Sequence, residues 1–127
     1  MVASEIEEFA KLLMVHVRDL AISASDVSLD PKANGPTAKR WREIVKTGQS
    51  KGLLREMIPD CVDNTLFYLL NAIDQGLLKL SFTSSSGKTV DLTELGGSEM
   101  SGWYMATEGW RQAYSKQRFF DDNTNVD

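Results

Sequence analysis

The sequence predicts an α+β fold: a mainly helical single domain with one β-hairpin late in the chain. Three observations carry this. Apolar residues recur at helical spacing over residues 4–76. Two alternating runs, LLKLSFT and TVDLT, flank the turn-like SSSGK. A chain of 127 residues with 42% hydrophobic and 25% charged content suits one domain with its own core. Four to five helices are expected in a globular body over residues 1–120, with 121–127 as a frayed tail.

The first helix is expected from Ser4 to about Ala24. Ser4 suits the N-cap, with Glu7 three residues on as in a capping box. Ile6, Phe9, Ala10, Leu13, Val17, Leu20, Ala21 and Ala24 form one apolar stripe. Asp30-Pro31 should end any continuation. PKANGP reads as a loop, because Asn34-Gly35 tolerates positive φ. A second helix is expected from about Thr37 to Thr47, burying Ala38, Trp41, Ile44 and Val45, with Gly48 as its stop signal.

Lys51–Gly76 is the longest helix-compatible run and the expected central element. Pro59 removes a backbone donor inside it, so it either kinks the helix or splits it. Gly76 is placed to be the C′ residue. The apolar side carries Cys61, Leu66, Leu69, Leu70 and Ile73. The hairpin follows as Leu77–Thr83 and Thr89–Thr93, and must lie on the helices, since one hairpin is marginal alone. Gly96-Gly97-Ser98 and Ser101-Gly102 bracket an irregular segment before a last helix over about Thr107–Arg118.

Composition narrows the function classes. One cysteine excludes an internal disulfide. The start is acidic and amphipathic rather than leader-like, and no apolar run reaches the roughly 18 residues a membrane span needs. A cytoplasmic setting, of the kind small bacterial proteins occupy, is expected. Charge is uneven. Lys39, Arg40, Arg42, Lys46, Lys51 and Arg55 face one acid, Glu43, across residues 36–55, whereas residues 56–110 are strongly acidic.

Most motif-like stretches have plainer explanations. Ser86-Gly87-Lys88-Thr89 ends like a phosphate loop, but Phe82 stands where that loop needs glycine, and an alternating strand follows where it needs a helix. Lys39-Arg40-Trp41-Arg42 has a nucleic-acid flavour, yet Trp41 shares the apolar face and the protein is acidic overall. With one histidine, His16, and one cysteine, the usual zinc sites are excluded, and a Cys61–His16 catalytic pair conflicts with Cys61 on an apolar face. No catalytic residue, cofactor or metal is assigned.

An acidic row on the central helix holds more promise. Glu56, Asp60, Asp63, Asn64, Asn71 and Asp74 share an arc with Phe67. Asp60, Phe67, Asn71 and Asp74 are expected to form a partner surface, with Phe67 as apolar anchor. Asp63 is expected inside, where a buried carboxylate needs cationic partners such as Arg111 and Arg118. Six of the eleven aromatics fall in residues 103–120, as a roof for the core or as contact surface.

The leading expectation is a non-catalytic protein-binding domain, for instance an immunity- or antitoxin-type inhibitor masking a basic partner. A small enzyme or ligand-binding domain is the alternative, with Asp63, Asn64, Arg111, Tyr114 and Arg118 around a pocket between hairpin and helices. A self-associating structural protein, such as a homodimer, is the third. Nucleic acid and membrane are not expected partners.

Overall fold

The first apolar stripe folds as one long helix with a change of pitch inside it. The computed structural model describes residues 3–46 and 51–121. Helix α1 comprises Ser4–Leu13, a π-helical turn at Met14–Arg18, and Asp19–Ser28. It therefore continues past Ala24. Ser4 is not its cap: Ala3 holds that position without a side-chain bond, and the Ser4 hydroxyl donates to Glu5 at 3.3 Å.

The π turn decides which residues face inward. The fully buried positions are Ile6, Ala10, Met14, Arg18 and Ile22, each four residues apart, with Leu13 and Asp19 nearly so beside them. A regular helix of 3.6 residues per turn would rotate that series off the core. A wider π turn holds one more residue and keeps it there. The consequence is a correction: Val17, Leu20, Ala21 and Ala24 are exposed, Leu20 by 57%.

Helix α2 is Pro36–Lys46. Pro36 opens it, where a missing N–H costs nothing, and Gly35 has the positive φ of 141° that the preceding turn requires. Ala38 is buried, Trp41 and Val45 are half-buried, and Ile44 is exposed rather than inside. The expected helix end at Thr47-Gly48 lies outside the described residues, as do residues 122–127 of the tail.

Helix α3, Lys51–Asp74, is unbroken despite Pro59. Proline takes away the N–H that would bond the carbonyl four residues earlier, that of Arg55. The Arg118 guanidinium donates to that carbonyl instead, at 2.8 Å. The helix ends as its glycine suggests. Gly76 has φ +75°, its N–H donates to Ile73 O, and Leu77 N–H donates to Ala72 O, each at 3.0 Å. These are the two bonds of a Schellman end. Thr93 and Ser98 hydroxyls satisfy the last carbonyls, Ile73 O and Asp74 O, at 2.8 and 3.2 Å.

The antiparallel hairpin is shorter than the alternation suggests: β1 is Ser81–Thr83 and β2 is Thr89–Asp91, with Phe82 opposite Val90. Leu77, Leu78 and Leu80 are exposed and outside it. It lies on the helices as expected, and the helix it meets is α1. Phe82 meets Phe9 edge-on at 5.6 Å, and the Ser85 backbone N–H and hydroxyl both donate to Glu8.

Three short helices replace the expected irregular segment and single last helix: α4 Leu92–Gly96, α5 Met100–Met105 and α6 Trp110–Tyr114. Six helices thus stand among the described residues where four to five were expected. Helices this short have little intrinsic stability and depend on packing and caps. The Asp91 carboxylate caps α4 through Glu94 N–H at 3.1 Å. The main core gathers Ile6, Ala10, Met14, Leu70, Ile73 and Tyr104, and a smaller one gathers Ile22, Leu29 and Ile58. Helix α3 serves both.

Two glycines should respond oppositely to alanine. Gly102 is exposed within α5 with nothing near its missing Cβ, so Gly102→Ala should stabilise by roughly 0.5–1 kcal/mol. At Gly109 a Cβ would sit 2.0 Å from the Trp103 carbonyl oxygen, so Gly109→Ala should destabilise by about 3 kcal/mol. Urea midpoints of the two variants check both signs.

Candidate functional site

Asp63 is buried on the inner side of α3, only 3% exposed, and both its oxygens are saturated. Oδ1 accepts from Arg18 Nε at 2.7 Å and from the Tyr104 hydroxyl at 2.6 Å. Oδ2 accepts from Arg18 Nη2 at 3.2 Å and from Arg111 Nη1 at 2.9 Å. Four donors fill the acceptor sites of a carboxylate. Arg18 reaches further, donating to the Ser115 hydroxyl and the Arg118 carbonyl at 3.0 and 2.8 Å. Asp19, mostly buried beside it, accepts from the Ser115 hydroxyl at 2.6 Å and from Lys116 N–H at 2.8 Å. Two guanidiniums and two carboxylates thus balance inside, joining α1, α3, α5, α6 and the segment after α6.

Burial by itself pushes the Asp63 carboxyl up, but the bonds from Arg18 and Tyr104, the Arg18 charge and the Arg111 bond outweigh it. The carboxyl ends below the usual range. Burial, then the bond and charge of Asp63, push the Tyr104 phenol well above its ordinary value. A carboxylate so enclosed holds structure together and is closed to substrate.

The other site residues separate. Arg111 joins Asp63 as expected and stacks over Phe119 at 4.6 Å. Arg118 does not: it forks onto Asp26 with two bonds of 2.9 Å, and these bonds, against the upward push of burial and with help from the charges of Arg118 and Arg55, hold the Asp26 carboxyl low. Asn64 is exposed and outside the network. Tyr114 is half-buried on a different hollow, with Trp103 and Trp110. The five residues of the expected pocket therefore do not converge.

The acidic row is also divided. Asp60 is exposed, and Phe67 and Asn71 are half-buried. Asp74, expected on that surface, is 5% exposed. Its carboxylate accepts from Met100 N–H at 3.2 Å and Ser101 N–H at 2.9 Å. It caps α5 from another helix, because an opening turn without its own capping side chain needs an acceptor. Cys61, expected inside, is exposed. His16 is exposed on the π turn, and no hydrogen bond joins the two among the described residues.

The SSSGK stretch is a hairpin turn, closed by Ser84 N–H donating to Lys88 O at 2.8 Å, with Gly87 at φ +91° and a strand after it. In the basic stretch Lys39 and Arg40 face solvent, and Arg42 donates to the Ala33 carbonyl. No group of three or more histidine, cysteine, aspartate or glutamate side chains could hold a metal among the described residues. No described helix is long and apolar enough to cross a membrane.

Sequence reasoning missed an open, mainly apolar concave surface between α1 and α3. Two hollows of about 300 and 310 Å³ meet at Cys61 and Val62 and form one trough. Val17, Ala21 and Ser25 of α1 make one wall, and Leu54, Met57, Ile58 and Thr65 of α3 help make the other. Trp41 and Ile44 of α2 close the end. The α1 wall belongs to the stripe that the π turn leaves outside. Beyond Trp41 lies a further hollow of about 200 Å³, lined by Arg42, Lys46 and Lys51 with one acid, Asp30. The one legible signal was Arg18, a charge inside an apolar series. No protein-family model, curated protein or solved structure matches the chain.

Asp63→Asn should cost about 3–5 kcal/mol, because two buried guanidiniums lose their counter-charge. The wild-type contribution is complete at neutral pH. It is lost as pH falls from the unfolded carboxyl value near 4 through the lowered folded one. Denaturant midpoints against pH should therefore decline less steeply below pH about 4 in the variant than in the wild type. A parallel decline would show that Asp63 is not the group responsible.

Proposed function

We propose that the chain is a protein-binding domain that takes an amphipathic helix of a partner into the trough between α1 and α3. The observation that carries this is the open apolar stripe of Val17, Ala21, Met57, Cys61 and Val62, ending at Trp41. A contiguous apolar hollow open to solvent on a folded protein is the kind of surface that a partner covers. Wall residues recur four apart on α1 and three and four apart on α3, the spacing into which a third helix packs its own ridges. Small side chains at Ala21 and Ser25 permit close approach.

Charge specifies the partner further. The trough leads past Trp41 to Arg42, Lys46 and Lys51, so the fitting helix has an apolar stripe and an acidic end. This moves the docking surface away from the acidic side of α3. That side keeps Asp60 outward but contributes Asp74 to the interior, which leaves a weaker mask for a basic partner.

Selection of displayed helical peptides against the purified protein tests this. Binders should carry apolar residues at i, i+4 and i+7 and acids at one end. Met57→Glu, or a bulky maleimide on Cys61, should weaken them at least about tenfold, while Lys88→Glu on the hairpin leaves them unchanged. Binders lacking that pattern, or indifferent to both changes, would defeat the proposal. So would a dimer in sedimentation that shields Cys61 from thiol reagents, which would assign the trough to a second copy.

A further inference from the structure

A second concave site lies apart from the trough and shares no lining residue with it. Glu7 on the first turn of α1, Glu108 in the loop before α6, and the rings of Trp103, Trp110 and Tyr114 surround a hollow of about 230 Å³. The two indoles stand 6.4 Å apart, centroid to centroid, tilted by 44° like the sides of a wedge. Both glutamates are exposed at its edge, and no lysine or arginine lines it. Gly109 sets this arrangement. Its backbone lies so close to the Trp103 carbonyl that any side chain would collide, which brings Trp103 and Trp110 side by side.

The chemistry of this lining selects its ligand by elimination. An anion would meet two carboxylates and no cation. A wholly apolar ligand would leave the two carboxylates at the edge without a partner of opposite charge. A hard metal ion requires several oxygens in its shell, and aromatic rings offer none. A cation with an apolar skin suits this lining: aromatic rings attract it through their quadrupoles, Trp103 more openly than the largely buried Trp110, and the carboxylates supply its counter-charge. Among cations, a bare ammonium is strongly hydrated and loses most on entry, whereas methyl groups spread the charge and contact the rings. We infer that the Trp103–Trp110–Tyr114 hollow is a binding site for a quaternary methylammonium group, with Glu7 and Glu108 as its counter-charges. Such a group occurs on free small molecules of the choline type and on trimethylated lysine side chains.

The three indole N–H signals in a ¹H–¹⁵N spectrum provide the test. Tetramethylammonium chloride added to the full-length protein should shift the Trp103 and Trp110 signals saturably and leave Trp41 in place. Neopentyl alcohol, a neutral compound of similar shape, should give no saturation. Trp103→Leu should weaken binding roughly five- to thirtyfold and Glu108→Gln should weaken it by a smaller factor, with circular dichroism checking that both variants fold. Absence of saturation, an equal response to neopentyl alcohol, or stronger binding of guanidinium than of tetramethylammonium would overturn the inference. Choline and a trimethyllysine peptide then separate the two sources: tighter binding of the peptide assigns a modified protein, and equal or tighter binding of choline assigns a small ligand.

Discussion

The carboxylate of Asp63 is the point on which the rest of the structure depends. It sits on the central helix and takes hydrogen bonds from α1, α5 and α6 at once. Burying any one of these charges alone would be prohibitive. Burying them together, with every acceptor site of the carboxylate occupied, is tolerable and imposes geometry. An arginine fork and a phenol hold the carboxylate in one position, so three helices distant in sequence must meet at one register. Short helices such as α5 and α6 need this, since neither is long enough to hold its shape alone.

Two local irregularities serve the same cluster. The π turn brings Arg18 to the inner face in place of Val17. The proline in α3 frees the Arg55 carbonyl, and Arg118 answers it while forking onto Asp26. The segment after α6 is thereby tied to both long helices, at Arg18 through its own carbonyl and at Arg55 and Asp26 through its side chain. A helix-breaking residue and an off-period charge, each unfavourable locally, become attachment points for the C-terminal part of the chain.

The surface follows from these interior choices. Turning Arg18 inward turns Val17, Leu20 and Ala21 outward, and the apolar trough is the direct result. Using Asp74 as the cap of α5 removes it from the acidic side of α3. Gly109 lets two backbones touch and sets the two indoles at the edge of the aromatic hollow. Both candidate binding surfaces are therefore products of how the core was satisfied. The trough has walls at helical spacing and a basic end; the hollow has ring walls and acidic edges. They suit different chemistry and do not compete for residues.

By itself the sequence determined the helical class, the loop ahead of Pro36, the late hairpin packed on helices, the end of α3 at Gly76 and the inward position of Asp63 with Arg111. These rest on periodicity, on the backbone freedom of glycine and proline, and on the cost of an unpaired buried charge, all of which act locally or have one solution. Only the tertiary structure decided that Arg18 and Tyr104, rather than Arg118, complete the Asp63 site. It alone sent Asp74 and Arg18 inward and Val17, Cys61 and Ile44 outward, shortened the last expected helix to α6, and formed α4 and α5 ahead of it. The physical reason is common to all of these. A single π turn rotates everything after it relative to the α-helical period, and a cap or counter-charge can come from any element that packs nearby. Neither choice leaves a mark in the spacing of residues along one helix.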